Sequence, residues 1–253
     1  MDYKLHPIKR EITVEGFHTI YYFEFGKDFS HPPEKHDFWE IVYVDSGKIN
    51  SISDGIGRIL TQGQLVFHRP AEIHAHISDK INPSNMLVIT FSTTSPAMSF
   101  FDKKVFTLGK TEKTLLSLFM KEAKRALGDI PGEYSNKNPL DFSHAPDCSV
   151  QLLECYLTEL LLVLKSGGEE LGGKYCEVSR EMTQSSIAEL MTDYLNENIV
   201  GNITLSALCQ KFFMGKSQVC KIFKEHIGKG PIEYYTELKI SEAKKFNLKV
   251  LAQ

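Results

Sequence analysis

The sequence predicts an α+β protein: an antiparallel β domain first, then helices, the last of them forming an all-α basic segment. Three observations predict it. Between residues 12 and 92, short runs rich in β-branched and aromatic residues alternate with Gly, Pro, Asn and Asp, a spacing that suits an antiparallel sandwich or barrel. From residue 111 the apolar repeat changes to three and four, the period of a helix with one buried stripe. The charge changes as well. Residues 201–253 hold nine Lys and four Glu with no Arg or Asp, a net of +5, so a chain of formal charge −3 carries −8 on the remainder. A basic segment on an acidic body suits a polyanionic partner. At 253 residues two compact units are expected, each large enough to bury a core.

Each element follows from its pattern. ITVEGFHTIYYFEF, WEIVYV, KINSIS, RILTQGQLVFH, AEIHAHIS and MLVITFS read as strands. TEKTLLSLFMKEAKRALG, residues 111–128, places apolar residues at 115, 116, 119, 123, 126 and 127, one face of a helix. CSVQLLECYLTELLLVLKSGG is a second helix, apolar around much of its circumference. Exposed apolar faces of this kind usually mark contacts, so a homodimer through helix 150–164 is expected, with helix 111–128 as the competing cover. The Gly-rich, mixed-charge stretch 167–182 reads as a linker. Thr204 is placed to cap LSALCQKF, and Pro231 to open the last helix, where its missing N–H is harmless. The boundaries are therefore 1–105 for the β domain, 106–166 for the helical pair, 167–182 for the linker and 183–253 for the helical head.

Two short helices joined across FFMG, the second one basic, form the skeleton of a helix-turn-helix. On the second helix, at 100° per residue, Val219, Ile222 and Phe223 share one side. Ser217, Lys221 and Lys224 share the other, with Gln218 and Cys220 flanking. An outward face that is short, polar and cationic suits a major groove, with Lys and Gln reading base edges. Lys216, Ser217, Gln218, Lys221 and Lys224 are the DNA-binding candidates, with Lys224 assigned to phosphate. The pattern alone fits a solvated amphipathic helix equally well. ITLSALCQKFFMGKSQVCKIFKEHIGKGPIEYYTELKISEAKK, however, resembles the first half of an AraC/XylS-type DNA-binding domain. The matching residues are Leu205 and Leu208, then Lys221, Phe223, Lys224, Gly228, Pro231 and Tyr234, then Ile240 and Ala243 in the connecting helix. The resemblance implies a transcription regulator with DNA as its partner. It also implies a second helix-turn-helix beyond the connecting helix, where this chain reads FNLKVLAQ. One reading head is expected, either on a shortened chain or doubled by dimerisation.

In the same family the N-terminal part is commonly a cupin, a small β-barrel that holds an effector, and the β-rich stretch resembles one. Metal-binding cupins carry HxH, three or four residues, Glu, six residues and Gly. Here His36, Glu40 and Gly47 fit in register, while Glu34 stands where the first His belongs. Gly63, Pro70 and His74 match the second motif in order. Alternate side chains of a strand share a face, so Glu34, His36 and Glu40 can point into the barrel and meet His74. These four are the effector-binding candidates, and His36, Glu40 and His74 the candidates for a metal such as Zn, Mn or Fe. A hydrogen-bonded polar cluster without a ligand is the plain alternative. His68 and His76 should flank the region, Arg69 could pair with an anion, and Trp39, of opposite parity, should pack outward beneath a helix.

Other classes find little support. No nucleophile signature or glycine-rich phosphate loop is present, so a non-enzyme without a cofactor is expected; a metal-dependent cupin enzyme is the alternative. The N-terminus lacks the apolar core of a signal peptide and no stretch is long enough to span a membrane, which points to a cytoplasmic protein. The five cysteines show no close paired spacing and read as reduced thiols.

Overall fold

In the computed structural model, which describes residues 3–128, 130, 140–167 and 180–251, the β domain is built from β1 (Gly16–Phe25), β2 (Trp39–Ser46), β3 (Lys48–Ser53), β4 (Ile56–Thr61), β5 (Gln64–His68), β6 (His74–Ser78), β7 (Ser84–Ser92) and β8 (Val105–Thr107). They form two antiparallel sheets, ordered β1-β7-β2-β5-β8 and β4-β3-β6. The run RILTQGQLVFH, expected as one strand, is two. It breaks at Gly63, whose φ of +84° is a left-handed conformation that glycine adopts without steric cost. β8 was not expected, because three residues are too few to display a period; its place is fixed by pairing with β5. Gly47, at φ +76°, is needed for a second reason: a Cβ there would lie 2.5 Å from the Pro83 carbonyl oxygen.

Parity on β2 divides the interior. Trp39, Ile41 and Tyr43 face outward into a core shared with the helices, as expected for Trp39. Val42 and Val44 face inward into a second core with Phe23, Leu60, Val66 and Val88. Glu40, of the same inward parity, is 2% exposed. A short 3-10 helix, Pro96–Phe101, precedes β8, and α1 (Lys110–Leu127) and α2 (Ser149–Gly167) cover the outer face of the larger sheet.

The apolar wealth of α2 is largely used inside the chain. Leu153, Leu157, Leu160, Leu161 and Leu164 pack in the core with α1, and Leu157 and Leu161 are 1% and 0% exposed. Those side chains are not free to meet a second subunit. The outward apolar groups left on this pair are Leu118, Val150 and Leu162.

The head comprises α3 (Arg180–Glu197), α4 (Leu205–Lys211), α5 (Lys216–Ile227) and α6 (Pro231–Leu251). The expected linker falls mainly on residues outside those described. Thr204 caps α4 by accepting from the Ala207 amide at 3.1 Å, as its position implied. The Tyr235 hydroxyl donates to the carbonyls of Asn198 (2.7 Å) and Gly201 (2.9 Å), tying α6 to the end of α3. The head core of Leu190, Met191, Leu195, Leu208, Phe212, Val219 and Phe223 continues into Ile52, Ala75 and Ile77 of the barrel. Lys80 to Glu189 at 2.8 Å and Ser30 to Asp193 at 3.1 Å add polar links across this seam.

Candidate functional site

Strand pairing assembles the site. On the larger sheet, Glu40 lies directly opposite His68 on β5 and Thr90 on β7. On the smaller sheet, His74 and His76 of β6 lie opposite Ser53 and Ser51 of β3. All face the space between the sheets, because inward parity recurs every second residue. Glu34 and His36 reach the same space by another route. They precede β2 and are not part of it, which corrects the reading of 34–40 as one strand. Residues 29–34 instead run beside β6. The Glu34 and His74 amides each donate to the other residue's carbonyl, at 2.9 and 3.0 Å, and the Ser78 amide donates to the Phe29 carbonyl at 2.9 Å. This covering segment also protects the edge of β6 from pairing with another chain.

The four effector candidates are brought together. Glu40 is the hub: its carboxylate lies 3.5 Å from His36 Nε2, 3.5 Å from His74 Nε2 and 3.3 Å from His76 Nε2. Glu34 lies 3.6 Å from the same His74 nitrogen. His68 and His76, expected to flank the region, sit within it at 0% and 1% exposure. His68 Nδ1 donates to Glu72 at 2.8 Å, and its ring stacks on His74 with centroids 4.4 Å apart. Arg69 is paired with carboxylates of the chain itself. It is held by Asp54 at 2.8 Å and Asp102 at 3.3 Å.

The electrostatics follow from burial and neighbours. Burial would disfavour an imidazolium at His74, but the Glu40 and Glu34 carboxylates outweigh it and push its pKa up to about 10. His68 goes the other way, down to about 4, because burial and the positive His74 ring both oppose a second charge. Burial would raise the Glu40 carboxyl, yet the charge on His74 and the close approach of the His36, His74 and His76 rings hold it well below the usual range. Hydrogen bonding from His68 likewise overcomes burial at Glu72 and lowers it. The carboxylates of Glu34, Glu40 and Glu72, each with its pKa lowered, favour a cationic or hydrogen-bond-donating guest.

The donor set also fits a metal ion. His36, Glu40 and His74 form one group, and Glu40, His68 and His76 another, with ligand atoms within 4.8 Å of one another. His36 Nε2 and His74 Nε2 are buried without a hydrogen bond of ordinary length. Tetrahedral ligands about 2.1 Å from a Zn ion stand roughly 3.4 Å apart, close to the separations around Glu40. These residues could hold a divalent cation, which would supply Lewis acidity or a bound water.

His76 was legible in principle: HAH in AEIHAHIS puts it on the face of His74. His68 was expected only to flank the region, and the pairing of β5 with β2 sets it opposite Glu40; Glu72, which is held by His68, was not foreseen.

On α5 the division between faces is as expected. Val219, Ile222 and Phe223 are buried, while Lys216, Ser217, Gln218, Lys221 and Lys224 are exposed. Lys221 stands 3.8 Å from Glu225 one turn on. Gly228 ends the helix in a left-handed conformation, its amide donating to the Lys224 carbonyl.

The architecture is therefore a cupin-like antiparallel domain followed by helices, α+β overall. Residues 17–95, which include Glu34, His36, Glu40 and both histidines of β6, match the family model described as the AraC-like ligand binding domain. No curated protein matches the chain. Among solved structures it is similar to an apo ToxT variant from Vibrio cholerae, with 11% identity, TM-score 0.39, 87% of this chain and 97% of that one covered. A predicted oxalate decarboxylase from Thermotoga maritima gives 18% identity and TM-score 0.28 over 28% of this chain and 64% of that one. The DMSP lyase DddQ from Ruegeria pomeroyi DSS-3 gives 24% identity and TM-score 0.26 over 29% and 36%. The chain thus covers less than two thirds of either enzyme. No helix among the described residues is long and apolar enough to cross a membrane.

Proposed function

We propose that this protein is a ligand-responsive, DNA-binding transcription regulator: the barrel cluster receives a small effector and the head reads DNA through α5. One observation carries the reading. Strand β6 has two working faces, with His74 and His76 inside the cluster and Ala75 and Ile77 in the seat of the head. A guest that shifts the histidines by a fraction of an ångström must also shift the surface on which α3 rests. The coupling is then limited by the guest's differential affinity for the two arrangements. Ser217, Gln218 and Lys221 are assigned to bases and Lys224, with Lys216, to phosphates. A homodimer would present two heads.

The test is selection of random DNA by the intact chain, followed by sequencing. An enriched motif is expected. Lys221→Ala should relax preference at one position, while Lys224→Ala should weaken selected and scrambled DNA alike and lower the salt slope by about one. No enrichment, or no loss in either variant, would overturn α5 as the reader.

The donor geometry around Glu40 favours a second reading, a metal-dependent cupin enzyme. Stoichiometric Fe or Mn in protein purified without added metal, together with turnover of a small-molecule substrate, would establish it over the regulator.

A further inference from the structure

A cavity of about 220 Å³ lies where the head meets the barrel, bordering the His/Glu cluster at His74 alone. The barrel side contributes Ile52 and Ile73, and the head contributes Ile187, Phe213, Met214 and Gln218. Three features set it apart from a packing defect. First, its size: an apolar cavity of about 150 Å³ takes up benzene, so this one accommodates a ring with substituents. Second, Phe213 is a bulky residue at φ +50°, a conformation uncommon outside glycine and Asn, and the residue is 46% exposed. The turn between α4 and α5 thereby presents an aromatic face at the cavity in place of burying it. Third, the polar groups on the wall are specific. Asp54 is engaged by Arg69 and the Ile73 amide, and His74 is engaged with Glu34 and Glu40. Gln218 is the remaining polar side chain there. Among the described lining residues none is Lys or Arg, and the charge on His74 is already met by Glu34 and Glu40, so no cation is left over for a carboxylate or phosphate on a guest.

We infer that this cleft is a binding site for a small uncharged ring compound bearing one hydrogen-bonding group, and that its occupancy withholds the N-terminal end of α5 from DNA. The regulatory half rests on the proposed DNA-reading role of α5; the binding half does not. Gln218, assigned to base reading, is a wall of the cleft, and the opposite wall carries the Asp54 carboxylate. A duplex approaching α5 from that side meets the barrel and a negative charge, while a major groove must close around the reading helix. The cavity exists only while the head is seated, so a guest held by both walls stabilises the seated form.

The experiment is methyl NMR of the intact chain, labelled at Ile δ1 and Met ε, titrated with indole, benzyl alcohol and benzoate. Shifts at Ile52, Ile73, Ile187 and Met214 are expected with indole and benzyl alcohol but not with benzoate at the same concentration. Ile73→Phe, which fills the cavity from the barrel side, should abolish them; Phe213→Gly, at an exposed position, should weaken them in a chain that stays folded. With the probe at ten times its Kd, binding of selected DNA should weaken by up to about tenfold. Unmoved methyls, or shifts confined to the barrel interior, would overturn the site. Benzoate binding as tightly as benzyl alcohol would overturn the chemical class. Methyl shifts without any change in DNA affinity would overturn the regulatory half. A chain that selects no DNA defeats the proposed function and the regulatory half with it, while the methyl titration still decides whether the cleft binds.

Discussion

At the scale of single residues, the cluster makes the barrel sensitive to pH on both sides of neutrality. His68 has its pKa lowered to about 4 by burial, so between that value and about 6.5 the unfolded chain binds a proton that the folded one refuses. Stability is full above this window and falls as pH drops through it. His74 has its pKa raised to about 10 by its carboxylates. Its contribution is full below about 6.5 and is lost as pH rises through 10. Thermal melts against pH should show a maximum near neutrality, and His68→Gln should flatten the acid limb alone. Unchanged limbs in that variant would mean that His68 does not carry the acid sensitivity. Glu40 offers a second test. Its carboxylate is shared by the rings of His36, His74 and His76, and removing one partner of a buried charged pair typically costs about 3 to 5 kcal/mol. Glu40→Ala should lower the melting temperature accordingly. Glu40→Gln, which keeps the shape, should cost less and still blunt any effector response. Part of this site was legible from sequence, because His36, Glu40 and Gly47 fit one motif in register, with Glu34 at the place of its first His, and His74 follows in the order of a second. His68 was expected only as a flanking residue and Glu72 not at all, because the pairing of β5 with β2 that sets His68 opposite Glu40 is a long-range register that no local pattern encodes.

Among elements, α5 divides buried apolar residues from exposed polar and cationic ones on its two faces, so folding and the proposed recognition can be tested apart. Phe223 is fully buried and touches Tyr234 with ring centroids 5.5 Å apart. Phe223→Ala should destabilise the head by about 3 to 5 kcal/mol, read as loss of head helicity at a temperature where the barrel still holds. Lys221→Ala changes an exposed position and should leave the melt within about 0.5 kcal/mol. Thr204→Ala removes the cap on α4 and should cost about 1 kcal/mol. The helical elements were read closely from sequence, since apolar period, an N-cap and a Pro at the first helical position are all local signals. The β elements were read less well. β4 and β5 merged across Gly63, and the strand over 34–40 proved to begin at Trp39. A strand's ends are set by its partners, and here Glu34 pairs with His74 of β6 while Trp39 pairs with Phe91 of β7.

Across the whole molecule, subunit contact and head seating are separate questions with separate surfaces. The buried Leu157 and Leu161 hold α2 to its own chain, so Glu at either position should unfold the helical pair. Leu118 and Leu162 are 38% and 39% exposed. If they form the outer face of a homodimer, Leu118→Glu with Leu162→Glu should give a folded monomer by light scattering; a persistent dimer would move the contact elsewhere. The seat of the head has a further consequence, which lies in how the molecule can change over generations. Because β6 sends His74 and His76 to the cluster and Ala75 and Ile77 to the head, the proposed regulation would divide by parity, with even-numbered positions bearing on the guest and odd-numbered positions on how tightly the head is held. A substitution at one parity keeps the residues of the other set, while the backbone they share passes a displacement from one face to the other. An insertion or deletion of a single residue in that strand does the opposite. It exchanges the two sets at once, turning imidazoles toward the head and an isoleucine into the cluster. The strand is therefore more tolerant of replacement than of changes in length.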